Sequence, residues 1–210
     1  GLEGIAVGKY VDEKASIGTL AHEMIHCMLK NEEADTSDYS QNQIDLALNS
    51  LKSFDNWYKG SDLKPVLLEE QLVSEELQYG GSIDCYGVIK DGTRVLVDFK
   101  TGKGIYNDMA YQLSAYANLL EENGYPVDLA MILNIPRVDA EDFAIRRWTN
   151  LTLHFNIFKC MLDVYKKEKK LKKDGVSPKV EMREDFTSIV DPSRHHSDRE
   201  EEKGAVHERV

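Results

Sequence analysis

The segment "RVLVDFK", Arg94 to Lys100, constrains the fold more than any other stretch of the 210 residues. Its β-branched and apolar residues read as a strand, in which successive side chains leave opposite faces. Val95, Val97 and Phe99 then enter a core, while Asp98 and Lys100, two residues apart, share the other face. An acid and a base set together at a strand end beside an apolar sheet are costly to bury without a reason. The chain must therefore supply a core for one face and partners for the other.

Asp84, in "GSIDCYGVI", is one candidate partner, on the preceding strand and joined by the hairpin signal "KDGT". A two-residue loop at Asp91 and Gly92 would set Asp84 opposite Phe99, on the wrong face. A three-residue loop, Asp91 to Thr93 with a bulge, sets it opposite Lys100, and this register is the expected one. Asp84 and Asp98 can then hold a hard divalent cation such as Mg²⁺. Lys100 can orient or deprotonate a water, or offset charge on a scissile phosphate. Glu70, on the strand before, can add an oxygen, although one residue of slip exchanges it with Glu69. Gln112 and Tyr116, one helical turn apart on the next helix, can reach the same space to fix the water, Lys100 or DNA.

The rest of the chain reads as helix over Gly18–Lys30, a helix through Ala47, Leu51, Phe54 and Tyr58 ended by Gly60 and Pro65, and a strand from Val66. After the hairpin come a helix capped at Asn107 or Asp108, a buried strand "DLAMILNI", a strand "DFAIRRWT", and a long helix from about Asn150. That last helix carries Leu153, Ile157, Met161 and Val164 as its apolar stripe before running into "KKEKKLKKDG". The order predicts one α/β domain around a mixed sheet, residues 1–175, followed by a polar, flexible tail, 176–210.

Composition narrows the function. A net charge of −11 argues against broad adhesion to nucleic acid, though not against an enzyme whose acidic metal site contributes to that charge. Arg146, Arg147 and the lysines from Lys166 to Lys173 form either a solvated face or a phosphate-tracking patch. Cys27, Cys85 and Cys160 offer no disulfide framework and no CxxC pair, and each reads as a small buried residue. No apolar run approaches the roughly 20 residues of a membrane span, and no basic-then-apolar leader opens the sequence. A cytoplasmic protein with no membrane partner is the expectation.

Five short motifs occur in order: "GTLAH" ending at His22, Glu70, "GSID" ending at Asp84, "DFKTGK" from Asp98 to Lys103, and "QLSAY" from Gln112 to Tyr116. Together they resemble the PD-(D/E)XK nuclease superfamily, in particular its RecB-like exonuclease branch, over roughly Gly18 to Tyr116. The resemblance implies a restriction-endonuclease-like core, a mixed sheet flanked by helices. It also implies Mg²⁺- or Mn²⁺-dependent hydrolysis of DNA phosphodiester bonds in recombination, repair or phage DNA processing. It makes His22, Asp84 and Asp98 metal ligands, with the backbone carbonyl of Phe99 completing the shell, and Lys100 the catalytic lysine. Gln112 and Tyr116 match its Q-x-x-x-Y element, and Thr101 and Lys103 fall among its DNA-positioning residues. The four cysteines of iron–sulfur relatives are missing, so no such cluster is expected. The substrate would be end-bearing DNA; a separate helicase or recombination partner and an oligomer are compatible with it. The alternative is a catalytically silent DNA-end or protein-binding module on the same fold.

"HEMIH" also spells HExxH, with His22 and His26 as zinc ligands and Glu23 as base. A zinc peptidase needs a third ligand, and no HxxGxxH continuation follows His26. His22 is explained by the nuclease pattern, which leaves His26 a packing or surface residue.

Overall fold

The computed structural model describes residues 2–138 and 141–175, with side chains from Asp12 onward. The chain divides into two units, Gly1–Lys166 and Lys167–Val210. The sheet and the candidate site belong to the first; the expected tail, 176–210, lies outside the described residues.

Helices α1 (Leu2–Lys30) and α2 (Gln41–Ser61) precede strands β1 (Lys64–Ser74), β2 (Tyr79–Val88) and β3 (Arg94–Lys100). Helix α3 (Asn107–Glu122), β4 (Leu129–Asn134), β5 (Ala144–Trp148) and α4 (Thr152–Lys173) complete the order. The strands form one mixed sheet in the order β1-β2-β3-β4-β5; only β3 and β4 are parallel, joined through α3. That crossover places α3 on one face of the sheet, and α1 with α2 covers the other. Ile25 and Phe54 pack with Val95, Val97 and Phe99 on the α1–α2 face. Leu113 and Leu120 pack with Leu96 and Ile132 on the α3 face.

Local signals set the ends of several elements. Ser40 opens α2 through a reciprocal capping box with Gln43. Gly60 does not stop α2, as the sequence suggests it should; the helix runs through it and ends at Asp62 in the left-handed region, φ 54°. Helix α3 begins at Asn107 with the extended Tyr106 before it, one residue earlier than the expected cap. Helix α1 extends well N-terminal of Gly18.

The β2–β3 loop is odd in length, as expected, but it is Lys90–Gly92 rather than Asp91–Thr93. Ile89 N–H donates to Thr93 O at 3.0 Å, and Gly92 takes φ 88°, the left-handed residue such loops require at their end. Asp91 Oδ1 accepts from Thr93 N–H at 2.9 Å and fixes the turn. The register is therefore Val88↔Arg94 through Cys85↔Val97, and one step further brings Asp84 beside Asp98 instead of Lys100.

Both β1 and β2 lose one step of alternation at the same level. In β2, Tyr86 and Ile83, three apart, both enter the α3-side core, and Cys85 alone enters the other. In β1, Leu67 and Leu72 share the α3 side and Leu68 the other. The residues at the two steps are Glu69, whose φ is 52°, and Asp84. Asp84 thus belongs to neither face. It does not share a face with Asp98, as a regular strand would require.

Helix α4 presents a different side from the one expected. Leu153, Ile157, Met161 and Val164 are exposed, Leu153 at 76%. The inward side is aromatic: Phe158 meets Tyr79, and His154 meets Trp148 and Tyr111. Aromatic rings bury more area per contact than the aliphatic stripe, and they set the rotation of the helix. Of the cysteines only Cys85 is buried; Cys160 is exposed on α4 and Cys27 is half-buried.

Candidate active site

At the end of β3 the α1 and α3 faces meet. Asp98 lies on the α3 face, 2% exposed. Lys100 Nζ donates to Asp98 Oδ1 at 3.1 Å and lies 2.8 Å from Oδ2, but Oδ2 has no hydrogen bond of its own. Lys100 also donates to Gln112 Oε1 at 2.8 Å, which ties the ammonium to α3. Tyr116, one turn on, is half-buried, and its ring lies over Gly81: a Cβ there would stand 2.6 Å from Tyr116 Cε1. Burial raises the Tyr116 hydroxyl to about 12, with Asp98 and Asp84 adding to the rise.

Asp84 reaches the same place from within the plane of the sheet. Its Oδ2 accepts from Phe99 N–H at 2.7 Å, so a carboxylate stands where a strand carbonyl would continue the ladder. Its Oδ1 lies 3.4 Å from His22 Nδ1 on α1. Burial pushes this carboxyl up, yet His22, the Phe99 amide and Lys100 outweigh burial and hold it below the usual range. Asp98 goes the other way: burial lifts it to about 6, Lys100 opposes and Asp84 adds to the rise. Two neighbouring carboxyls are driven apart, one ionised and one poised near neutrality, a division common at catalytic sites.

The space in front is an open cleft of about 720 Å³, lined by His22, Glu23, Glu69, Phe99, Lys100 and Thr101. Gly18 lets α1 approach, since a Cβ there would meet Thr101 Oγ1 at 2.9 Å. Lys103 is exposed. Glu69, not Glu70, lies at the cleft; Glu70 pairs with Ile83 and faces solvent. The slip of one step at Glu69 is what exchanges them.

His26 is neither surface nor simple packing. It is 3% exposed, its Nε2 faces Asp84 O at 3.1 Å, and its Nδ1 lies 2.7 Å from Glu69 Oε1. Lys30 Nζ donates to Glu69 Oε2 at 3.1 Å. Burial raises Glu69, but Lys30 and His26 carry it below the usual carboxylate range. The signal was present in the sequence: His22, His26 and Lys30 recur every four residues along one side of α1.

The donor set suits a hard divalent cation: an imidazole and two carboxylates, one of them Asp98 with a buried oxygen that has no hydrogen bond. As the side chains stand, no three His, Cys, Asp or Glu among the described residues are grouped to hold a metal, and the Lys100 ammonium supplies the positive charge on Asp98. Among the described residues no helix is long and apolar enough to cross a membrane.

No protein-family model matches the chain, and no curated protein does. Among solved structures, a candidate exonuclease from Eubacterium rectale is similar, with a TM-score of 0.55 and 11% identity over 76% of this chain and 68% of that one. A repair endonuclease from Pyrococcus abyssi gives a TM-score of 0.27 and 22% identity over 48% of this chain and 38% of that one, too low a score to bear on the fold. The first likeness fixes the architecture: a restriction-endonuclease-like α/β core, a five-stranded mixed sheet flanked by helices.

Proposed function

We propose that the chain is a deoxyribonuclease of the PD-(D/E)XK superfamily and its RecB-like branch, an exonuclease that hydrolyses phosphodiester bonds of end-bearing DNA with Mg²⁺ or Mn²⁺. The observation that carries the reading is the buried Asp98, paired with Lys100 and set beside an ionised Asp84, whose partners Lys100 and His22 line an open cleft. His22, Asp84, Asp98 and the Phe99 carbonyl would hold the cation, which supplies Lewis acidity to the phosphate and lowers the pKa of the attacking water.

The chain's own residues do the positioning. Gln112 holds Lys100 by its ammonium, so the charge that meets a scissile phosphate is fixed from α3 rather than free to follow solvent. Gln112 would keep the Lys100 ammonium within reach of a water or a phosphate oxygen if a bound cation took over the charge of Asp98. The Phe99 amide keeps Asp84 ionised and aimed across the end of the sheet. Tyr116 closes the α3 side above Gly81 and limits water there. Work in recombination, repair or phage DNA processing, self-association and a separate helicase belong to the same proposal, because an exonuclease needs a ring or partner to thread an end.

Digestion of end-labelled linear and closed circular DNA with Mg²⁺ or Mn²⁺ tests it. Loss of the linear substrate with the circle intact is expected. Cutting of the circle makes the chain an endonuclease. Binding without cleavage at every cation concentration favours the silent binding module, which the standing Lys100–Asp98 pair also fits.

A further inference from the structure

Helix α1 offers His22, His26 and Lys30 to the sheet, and the cation site uses only His22. We propose that Glu69 and His26 are positioning residues that hold Asp84 in its place between the two faces of the sheet; this rests on reading Asp84 as a cation-binding residue.

The backbone at Asp84 lacks the usual support. Pairing between β2 and β3 ends at Cys85↔Val97, and Asp84 is the extra residue at which alternation slips. Its carbonyl is met instead by His26 Nε2 at 3.1 Å. A carbonyl only accepts, so Nε2 carries the proton and donates. The far side of the ring, Nδ1, lies 2.7 Å from Glu69 Oε1, a close charge contact rather than an aligned hydrogen bond, and Glu69 is in turn held by Lys30 at 3.1 Å. The chain Lys30, Glu69, His26, Asp84 runs from a half-exposed ammonium to the partly buried carbonyl. Networks of this kind in a low dielectric fix geometry when each link is made.

Glu69 is also the residue of β1 with a positive φ, 52°, midway between the pairs Leu68↔Cys85 and Glu70↔Ile83. A left-handed conformation is unfavourable for an L residue with a side chain, and glycine would adopt it freely. A glutamate there is explained by its carboxylate, which the conformation directs at His26 and Lys30. Strain of this kind is retained where the surroundings use it. The opposite slips in β1 and β2 are then one device, with Glu69 turned to face the ring that holds Asp84.

Glu69→Gly tests this, because it accepts the backbone conformation and removes the side chain with its carboxylate; Glu69→Gln keeps the side chain and an acceptor oxygen. Two quantities are read: hydrogen exchange of the Phe99 amide in cation-free protein, and Mn²⁺ affinity by calorimetry. The Phe99 N–H is held by the Asp84 side chain, so it reports where Asp84 is without any catalysis. In Glu69→Gly the Phe99 amide should exchange about tenfold faster while Val97, inside the backbone ladder, keeps its protection. Mn²⁺ should bind about tenfold more weakly, and Glu69→Gln should recover part of both. Unchanged Phe99 exchange and Mn²⁺ affinity in Glu69→Gly overturns the proposal, as does an equal acceleration at Val97, which marks a general loss of stability. A wild-type chain that neither binds Mn²⁺ nor cuts DNA, with the selective Phe99 effect intact, removes the nuclease reading and leaves the positioning role standing.

Discussion

The side-chain carbonyl of Gln112 accepts a hydrogen bond from Lys100 Nζ at 2.8 Å, so the ammonium on β3 is held from α3 as well as by Asp98. The pair spans the gap between the sheet end and the helix that packs over it. It gives the lysine a fixed position in the absence of substrate.

Removing either member of the ion pair should abolish cleavage. Asp98→Ala and Lys100→Ala are each expected to lower DNA hydrolysis by on the order of 10²–10⁴-fold, and Gln112→Leu by about tenfold in kcat with KM little changed. Steady-state digestion of labelled DNA measures all three. Full activity in both alanine variants would place the chemistry elsewhere.

Gly81 is a packing prediction with a consequence at the site. A methyl group there meets Tyr116 Cε1 at 2.6 Å, so Gly81→Ala must push the ring aside. We expect a loss of about 1–3 kcal/mol by urea unfolding. Tyr116→Phe should not relieve it, since the clash is with the ring, whereas Tyr116→Ala should. If the two losses simply add in the Gly81→Ala, Tyr116→Ala double variant, the contact is not the cause.

Asp128 gives a pH prediction free of the site. Arg94 donates to it from both its guanidinium and its backbone N–H, and these bonds lower its pKa to about 2. A carboxyl depressed in the folded state contributes stability that is present above its unfolded pKa and is lost as pH falls through about 2. The group is exposed, so the contribution should shrink in high salt. NMR titration of the Asp128 carboxyl in the wild type and in Arg94→Ala checks it; an unchanged midpoint in the variant would refute the assignment to Arg94.

Helix α4 should respond to substitution by face. Leu153→Ser and Ile157→Ser, on the exposed side, are expected to change stability by less than about 0.5 kcal/mol. Phe158→Ala, which removes the ring against Tyr79, should cost about 1–3 kcal/mol. Chemical denaturation of the three variants decides between the two rotations of the helix.

Periodicity carried most of the fold, because alternation in β3 and the helical stripe of α3 agree with the contacts they make. The crossover from β3 through α3 to β4 follows from the order of elements alone. Rotation was not legible in α4, where aliphatic and aromatic residues alternate around the helix and the choice depends on Tyr79, Trp148 and Tyr111 from distant segments. Asp98, Lys100 and Gln112 were legible as neighbours because regular geometry brings them together. Asp84 was legible as a neighbour but not in its register or its place between the two faces, and Glu69 was not legible, since both stand where regular geometry fails: the parity of a strand gives no warning of a slip. The part played by His26 was half legible: its spacing from His22 and Lys30 puts it on one side of α1, but its partner, a backbone carbonyl, has no signature in a sequence.

The paired slip at Glu69 and Asp84 has a consequence for how the chain can change over time. Below it, Leu72 and Ile83 are buried on the α3 side, and each strand carries its extra step. Deleting Glu69 or Asp84 alone would restore regular alternation in that strand, leave Leu72 and Ile83 on the α3 side, and turn the paired slip into a one-strand bulge. The packing of the two layers therefore tolerates loss of either extra residue, and what such a deletion removes is Glu69 or Asp84 itself. A lineage that lost its need for Asp84 could replace the side chain freely, yet would still inherit the kink.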